Sequence, residues 1–407
     1  MAATLPATRS PQMTTESTPA DSAYNAPIGY LRAFITLLVL GHHAALAYHP
    51  YAPPPPTSLV AVPRWWQAFP VVDQKHWDGW ALFVGFNDIF FMSLMFFLSG
   101  LFVWKSLQKK GAGSFLRDRM VRLGVPFVLA AGVIAPLAYY PTYLQTRAGG
   151  GFWRQWMSLG NWPAGPAWFV WVLLAFDVVA ATLLLLSPQW GEGLGRLTSG
   201  ASRRPFVFFL GMVAISTFAY LPMELVFGSF RWSAFGPFTF QTSRAVHYLM
   251  YFLMGCAVGA SGLGRGLLAK DGNLMRRWIL WSLGTLMAFA VATGVGLATI
   301  TAHIGSRGWE IAADCTWVLS CAASSFALLA LFVRFANGRT RILDSLRDNA
   351  YGMYLVHYAA VSWLQYELLP ASLSGFTKGV IAFAGTVLIS WGSTAAMRQI
   401  PGVRRVI

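Results

Sequence analysis

The sequence predicts an all-α integral membrane protein, a polytopic bundle of about ten transmembrane helices. Of its 407 residues, 56% are hydrophobic and only 11% are charged, and the mean hydropathy is +0.52. Apolar stretches long enough to cross about 30 Å of hydrocarbon recur along the whole chain. Lysine and arginine are concentrated in alternate segments between these stretches. A water-soluble fold is therefore excluded.

Each predicted span must be a helix, because lipid offers no hydrogen-bond partner to an open backbone. The predicted spans cover residues 29–48, 81–104, 123–143, 167–187, 206–226, 244–262, 278–301, 310–333, 350–370 and 377–396. Together they form one membrane domain, residues 29–396, with its longest outer loop at residues 49–80. We expect residues 1–28 to be a disordered cytoplasmic tail and residues 397–407 to be a basic cytoplasmic tail.

The distribution of positive charge predicts the orientation. The chain has 30 Lys and Arg residues, of which 22 lie on one predicted side and 8 on the other. The richer side is the cytoplasmic one, which places both termini there. The net charge of +15 is therefore mostly a topology signal, and we expect no nucleic-acid partner. A cleaved signal peptide ending near Ala47 was also considered, but the polar segment before it is too long and barely basic.

No metal site or disulfide is expected, because the three cysteines all lie within apolar runs. The outer loop contains four tryptophans, Trp65, Trp66, Trp77 and Trp80. These side chains could anchor the protein at the membrane interface or stack on sugars, and the sequence leaves both open.

The first span has the clearest polar pattern. Arg32 and His43 are eleven residues apart, so on a helix they share one face to within about 20° and lie about 16 Å apart. Thr36 lies on that face, whereas His42 points about 100° away. We expect Arg32 at the cytoplasmic end and His43 deep in the bundle as a general base. The alternative is a neutral, hydrogen-bonded structural histidine.

Three further groups of polar residues are candidates for the site. Asp88 and Ser99 lie on one face of the second span with two methionines. Three interpretations of Asp88 stay open: a pair with His43, a pair with a cation, or solvation at the level of the lipid headgroups. Arg119 and Arg122 are three residues apart at the inner membrane edge, where guanidinium groups suit phosphate oxygens or lipid headgroups. In the ninth span, Tyr354, His357 and Tyr358 form either a structural hydrogen-bond cluster or part of a substrate site.

Taken in their order along the chain, these residues and motifs resemble those of the acyltransferase-3 family of integral membrane acyltransferases, over roughly residues 28 to 396. The matching elements are Arg32 with His43, Phe96-Phe97-Leu98-Ser99-Gly100, Arg119-x-x-Arg122-Leu123-x-x-Pro126, Trp168-Phe169 and Tyr351-Gly352-Met353-Tyr354-Leu355-Val356-His357. The Phe86-Asn87-Asp88 start of the second span and the long loop before it look most like the branch with periplasmic-glucan succinyltransferases.

The resemblance implies transfer of an acyl group, acetyl or succinyl, from cytoplasmic acyl-CoA to a hydroxyl of an envelope carbohydrate. It implies His43 as the catalytic residue and places Arg32, Arg119 and Arg122 on the donor side, with acyl-CoA as a substrate and no bound cofactor. Substrate contacts are expected at Asp88, Ser99, Tyr354 and His357. The implied location is the inner membrane of a bacterium.

Two features depart from the family pattern. The doubled His42-His43 makes the catalytic assignment depend on spacing. We also expect no SGNH-type esterase-like domain, so a step that needs one would require a separate periplasmic partner. Direct transfer and an acyl-enzyme relay both stay open. The rival functions are a multi-pass transporter of a glycan or lipid-linked substrate and, less specifically, an envelope scaffold.

Overall fold

The computed structural model describes residues 19–302 and 304–407. The predicted disordered tail therefore lies largely outside the described residues. The longer helices are α1 (Pro19–Leu46), α2 (Gly79–Gly100), α3 (Val103–Arg119), α5 (Ala135–Thr146), α7 (Trp168–Leu186), α9 (Pro205–Phe227), α10 (Ala245–Ser261), α12 (Trp278–Thr301), α13 (Arg307–Phe335), α14 (Arg341–Glu367) and α15 (Gly375–Met397). The shorter ones are α4 (Val125–Leu129), α6 (Phe152–Met157), α8 (Trp190–Thr198), α11 (Asn273–Arg276) and α16 (Pro401–Arg404).

The all-α membrane fold predicted from the sequence is confirmed. In the described part of the chain, eight helical segments are long and apolar enough to cross a membrane. They are Ala26–Leu46, Gly79–Gly100, Val103–Thr146, Gly165–Leu186, Pro205–Phe227, Trp278–Thr301, Arg307–Phe335 and Gly375–Met397. The remaining two predicted spans coincide with α10, which has 17 residues, and with α14, which carries many polar side chains. The number of crossings and the side of each terminus stay predictions.

Helical structure extends further than predicted at two places. Helix α1 begins at Pro19, before the predicted span at residue 29. Residues 105–122, expected to connect two spans, lie mostly in α3, and helical structure extends from Val103 to Thr146 with a kink at Gly111, where φ is 72° and ψ is 165°. Two π-helical turns, Met120–Gly124 and Ala130–Ile134, interrupt the α-helical pattern of this segment. Lysine and arginine favour helix well, so a basic connection can continue a helix into the next span.

The described part of the chain contains one small sheet. Strands β1 (Trp232–Phe235) and β2 (Phe238–Gln241) form an antiparallel hairpin between α9 and α10. The amide of Trp162 donates to the carbonyl of Gly236 at the hairpin tip. The hairpin and the segment that contains Trp162 both belong to connections predicted on the outer side, so this contact agrees with the predicted alternation of inner and outer connections. This hairpin was not predicted from the sequence.

Helices α2 and α10 pack backbone against backbone through glycines. A Cβ at Gly255 would lie 2.1 Å from the carbonyl oxygen of Phe97, and one at Gly259 would lie 2.0 Å from that of Leu101. Across the interface, a Cβ at Gly100 would lie 2.2 Å from the carbonyl oxygen of Phe252. Small residues allow this close approach, which drives helix association in lipid where the hydrophobic effect is weak. The final glycine of Phe96-Phe97-Leu98-Ser99-Gly100 therefore has a packing role.

We predict that Gly259→Ala destabilises the protein despite the higher helix propensity of alanine. The new methyl group meets the Leu101 carbonyl, and overpacking typically costs about 1–3 kcal/mol. Gly284→Ala on α12 is the matched control, because a Cβ there has no atom within 4 Å. It should leave the protein as stable or more stable. Thermal unfolding of both variants in detergent measures this, and equal melting temperatures would contradict the packing role.

The outer loop folds back over the end of the bundle and is anchored by a buried ion pair. Lys378 Nζ lies 2.6 Å from Asp73 Oδ2, with side-chain exposures of 1% and 4%. The amide of Asp73 donates to the carbonyl of Ala47. Trp66 is buried against Tyr139, with ring centroids 5.1 Å apart. Residues 47–78, which we call the outer cap, thus cover the end of α1 that contains His43.

The four tryptophans of this region differ in exposure. Trp66 is buried, whereas Trp65 and Trp77 are 56% and 41% exposed. Trp77 and Trp80 both pack on Phe376, with ring centroids 4.8 and 5.9 Å apart. Membrane anchoring and sugar stacking stay predictions for the exposed side chains.

We predict that Lys378→Met loosens the outer cap. It leaves the buried Asp73 carboxylate without its cation, with only the Lys75 amide donating to Oδ1, and breaking a buried ion pair typically costs about 3–5 kcal/mol. The double variant Asp73→Leu/Lys378→Met should recover much of this loss, because no unpaired charge is left. Limited proteolysis within residues 47–78 and thermal unfolding provide the measurements.

The control for this experiment is Arg307→Met, which breaks an exposed pair with Glu310 in which the side chains are 68% and 40% exposed. Such surface pairs contribute little to stability. A Lys378→Met protein as protease-resistant as this control would show that the ion pair does not hold the cap.

Candidate functional site

His43 lies in the last turn of α1, beneath the outer cap. Three residues separate it from the end of the helix, and its depth in the membrane stays a prediction. Its Nδ1 is 2.8 Å from the carbonyl oxygen of Val39 and 3.4 Å from Nε2 of His357. The side chain is partly exposed, and no hydrogen bond to its Nε2 is found among the described residues. This nitrogen is free to act on a substrate.

The neighbouring His42 faces a different part of the protein, as its spacing predicted. Its ring packs against Phe91, with centroids 5.2 Å apart, and its Nδ1 is buried without a hydrogen-bond partner among the described residues. The ring of His43 instead lies 5.1 Å from His357 and 5.2 Å from Tyr358, centroid to centroid. Only His43 therefore joins the polar cluster on α14.

Two further residues next to this cluster were not predicted from the sequence. Gln365 donates from Nε2 to the carbonyl oxygens of His43 at 2.8 Å and Ala44 at 3.2 Å, which satisfies the end of α1. Tyr139 on α5 donates to the carbonyl of Gln67 in the outer cap and packs against Tyr358. The sequence did contain an indication of Gln365, because an amide side chain inside a predicted span usually faces the interior of the helix bundle.

Arg32 lies at the other end of the same face of α1, as predicted. Its Nη2 donates to the carbonyl of Leu98 at 2.7 Å, and its guanidinium lies 5.0 Å from the centroid of the Phe102 ring. The hydroxyl of Ser99 donates to the carbonyl of Met95 in its own helix, at 2.8 Å. The stretch containing Leu98 and Ser99 thus meets Arg32 through its backbone.

Arg119 and Arg122 have different surroundings, although their spacing predicted a shared helical face. Arg119 Nε lies 3.2 Å from Oδ2 of the fully buried Asp177, and its guanidinium lies 5.0 Å from the Phe115 ring centroid. Arg122 is exposed, and its carbonyl accepts a hydrogen bond from Tyr351 at 2.7 Å. The π-helical turn that begins at Met120 changes the residue spacing between them. Only the Arg122 guanidinium is fully open to a ligand.

Asp88 pairs with a cation rather than with His43. Arg244 Nη2 lies 2.7 Å from Asp88 Oδ2, and Nη1 donates to the Asp88 carbonyl at 3.2 Å. The Arg244 guanidinium also lies 4.7 Å from the ring centroid of Trp317. The side chain of Arg244 is 5% exposed and that of Asp88 is 42% exposed, so the pair leaves the carboxylate accessible.

Tyr354 and His357 connect α14 to its neighbours. The hydroxyl of Tyr354 donates to the carbonyl of Pro166, and its ring lies 5.8 Å from that of Phe169. Phe169 in turn packs on Phe96, with centroids 4.6 Å apart. Three of the motifs, those with Phe96, Phe169 and Tyr354, therefore meet in one aromatic cluster. Of the two alternatives for the ninth span, these contacts support a structural cluster for Tyr354.

The described residues contain no group of three or more His, Cys, Asp or Glu side chains placed to hold a metal ion. What the site offers is a free imidazole nitrogen at His43 and several guanidinium groups around Arg32. Arg32 and His43 are separated by eleven residues, a helical rise of about 16 Å. This arrangement suits a long substrate with a phosphate-bearing end and a reactive end.

Comparison with known proteins gives one match. Residues 25–395 match the family model Acyl_transf_3, described as an acyltransferase domain. A search of curated proteins and a search of solved structures each found no match.

Proposed function

The chain belongs to the acyltransferase-3 family and is a multi-pass membrane acyltransferase, and from this premise we propose its donor, its acceptor and its general base. The donor is a cytoplasmic acyl-CoA, carrying acetyl or succinyl, and the acceptor is a hydroxyl of an envelope carbohydrate. The protein acts in a bacterial inner membrane. The observation that supports this proposal most is the placement of His43 and Arg32 on one face of α1, eleven residues apart.

The arginine end suits the donor. Acyl-CoA carries its phosphates at one end and its thioester at the other end of a flexible pantetheine arm. The exposed Arg122 guanidinium can bind phosphate oxygens directly, and guanidinium forks match such oxygens well. Arg119 and Arg32 add positive charge at the same end, although each already has a protein partner. The arm would then extend along α1 and bring the thioester towards His43.

The histidine end suits the chemistry. Nε2 of His43 takes the proton from the acceptor hydroxyl as that oxygen attacks the thioester carbonyl carbon. The new C–O bond forms, the C–S bond breaks, and the CoA sulfur leaves and is protonated. A general base in this role typically contributes about 10²–10⁴-fold to the rate. In an acyl-enzyme relay the same nitrogen would serve each half-reaction.

The acceptor would enter beneath the outer cap. Asp88 keeps an accessible carboxylate, which can accept hydrogen bonds from sugar hydroxyls while Arg244 holds it in place. Trp65 and Trp77 expose aromatic faces in the same region of the chain, and such faces stack on sugars. These features support a carbohydrate acceptor that arrives from the outer side. The family match favours an acyltransferase over a transporter or a scaffold.

We predict that His43→Ala abolishes donor consumption in purified protein, with acetyl-CoA and succinyl-CoA tested in parallel and a crude envelope glycan as acceptor. Loss of the general base should lower kcat by about 10²–10⁴-fold. Free CoA, followed with a thiol reagent, is the measurement.

His42→Ala is the matched control, since its ring packs away from the cluster on α14. It should retain turnover, and both variants must elute as folded protein. Equal loss in the two variants, or full activity of His43→Ala, contradicts the assignment of the base.

We predict that Arg122→Gln raises the KM for acyl-CoA with little change in kcat. A hydrogen bond to a charged group contributes about 1.5–3 kcal/mol, so KM should rise roughly 10- to 150-fold. Arg117→Gln is the control, because Arg117 is equally exposed on the same helical segment and has no proposed ligand. An identical KM in the two variants would remove Arg122 from the donor site.

A further inference from the structure

The contact between His43 and His357 forms part of a directed chain of hydrogen bonds. His357 is fully buried on α14, and its Nδ1 lies 2.6 Å from the carbonyl oxygen of Tyr354. Its Nε2 lies 3.4 Å from Nδ1 of His43. The same Nδ1 of His43 lies 2.8 Å from the carbonyl oxygen of Val39. Each imidazole therefore has a backbone carbonyl close to its Nδ1.

These carbonyls determine where the protons are. A carbonyl oxygen is only an acceptor, so a ring nitrogen at hydrogen-bond distance from it must carry hydrogen. His357 is then protonated at Nδ1, which leaves its Nε2 as an acceptor when the ring is neutral. His43 is likewise protonated at Nδ1, and this hydrogen is shared between Val39 and His357. Nε2 of His43 is left with its lone pair.

We propose that His357 is a positioning residue: it accepts from the Nδ1–H of His43 beside the Val39 carbonyl, fixes the orientation of the His43 ring and so aims Nε2 at the acceptor hydroxyl. The inference rests on the proposed function, because it specifies how the general base is prepared. His357 does not contact the substrate in this role, and so the substrate contact expected from the sequence is replaced by an action through His43.

A neutral partner suits this position in a membrane protein. In hydrolases that use a histidine base, a carboxylate commonly orients the imidazole. Burying a carboxylate beside the bilayer core would be costly. An imidazole accepts the same hydrogen bond without a charge. When His43 takes up a proton, its Nδ1–H becomes a charge-assisted donor to His357, and this bond strengthens.

The titratable groups that face His43 are few. From its own helix, the ring of His42 lies 5.4 Å away, and from α14 come His357 and Tyr358. Helix α14 is held against α1 by Gln365, which binds the backbone at His43, and against the turn before α7 by Tyr354. These contacts keep the imidazole rings of His43 and His357 next to each other.

The test compares His357→Leu, which removes the acceptor, with His357→Gln, whose side-chain oxygen can accept from His43. Against wild type, His357→Leu should lower kcat roughly 10- to 100-fold, within the contribution expected of an oriented general base. The KM for acyl-CoA should not change, because His357 does not bind the donor. His357→Gln should recover most of the lost kcat.

Ser362→Ala is the matched control. Ser362 is fully buried on the same helix, and its hydroxyl donates only to the Tyr358 carbonyl, at 2.9 Å. This variant should keep the wild-type kcat. If His357→Leu is folded and turns over like Ser362→Ala, or if His357→Gln is as slow as His357→Leu, the positioning role is wrong.

A second readout does not depend on activity. Nitrogen-15 spectra of histidine-labelled protein in nanodiscs distinguish the two tautomers, and the His43 signals are assigned by their loss in His43→Ala. Wild type should show Nδ1–H at His43. His357→Leu should keep that tautomer, because the Val39 carbonyl still accepts, but it should shift and broaden the His43 Nδ1 signal, because one acceptor is lost and the ring is less fixed. Nε2–H in wild type, or an unchanged His43 signal in His357→Leu, overturns the proposal. If wild type consumes no acyl-CoA, the proposed function fails, and this spectrum alone then decides whether His357 orients the His43 ring.

Discussion

The packing of α14 against α1 is the interaction on which the rest of the site depends. In lipid, each polar group must find its partner inside the protein, because no water is available to replace it. Helix α14 supplies such partners at both ends: His357 and Gln365 contact His43, and Tyr351 binds the backbone at Arg122. The polar side chains that lower the hydropathy of α14 are those that form these bonds.

Close packing elsewhere supports this arrangement. The glycine contacts between α2 and α10 bring the backbone around Leu98 into a fixed position, and the Leu98 carbonyl binds Arg32. At the opposite end, the buried pair of Asp73 and Lys378 anchors the outer cap over His43. The surroundings of Arg32 and of His43 are therefore held by different kinds of contact, close backbone approach around Arg32 and a buried ion pair above His43.

The chemistry follows from the separation of Arg32 and His43. Positive charge gathers where a phosphate-bearing donor would be held, and the His43 imidazole lies about 16 Å away along the helix. An acyl-CoA can bridge such a distance with its arm, whereas a compact donor could not contact both. The proposed acceptor side differs in character, with an accessible carboxylate and exposed tryptophans near the outer cap.

The sequence by itself determined the helical membrane fold, the family and the common face of Arg32 and His43. These follow from hydropathy, from the helical period and from motifs in a fixed order, all of which are properties of local sequence. Only the tertiary structure decided that Asp88 pairs with Arg244, that Arg119 and Arg122 have different surroundings, and that Gln365 and His357 contact His43. The physical reason is that these partners lie on helices far apart in the chain. Which helices pack together depends on small residues, π-helical turns and buried polar groups considered all at once, so spacing within one helix cannot reveal it.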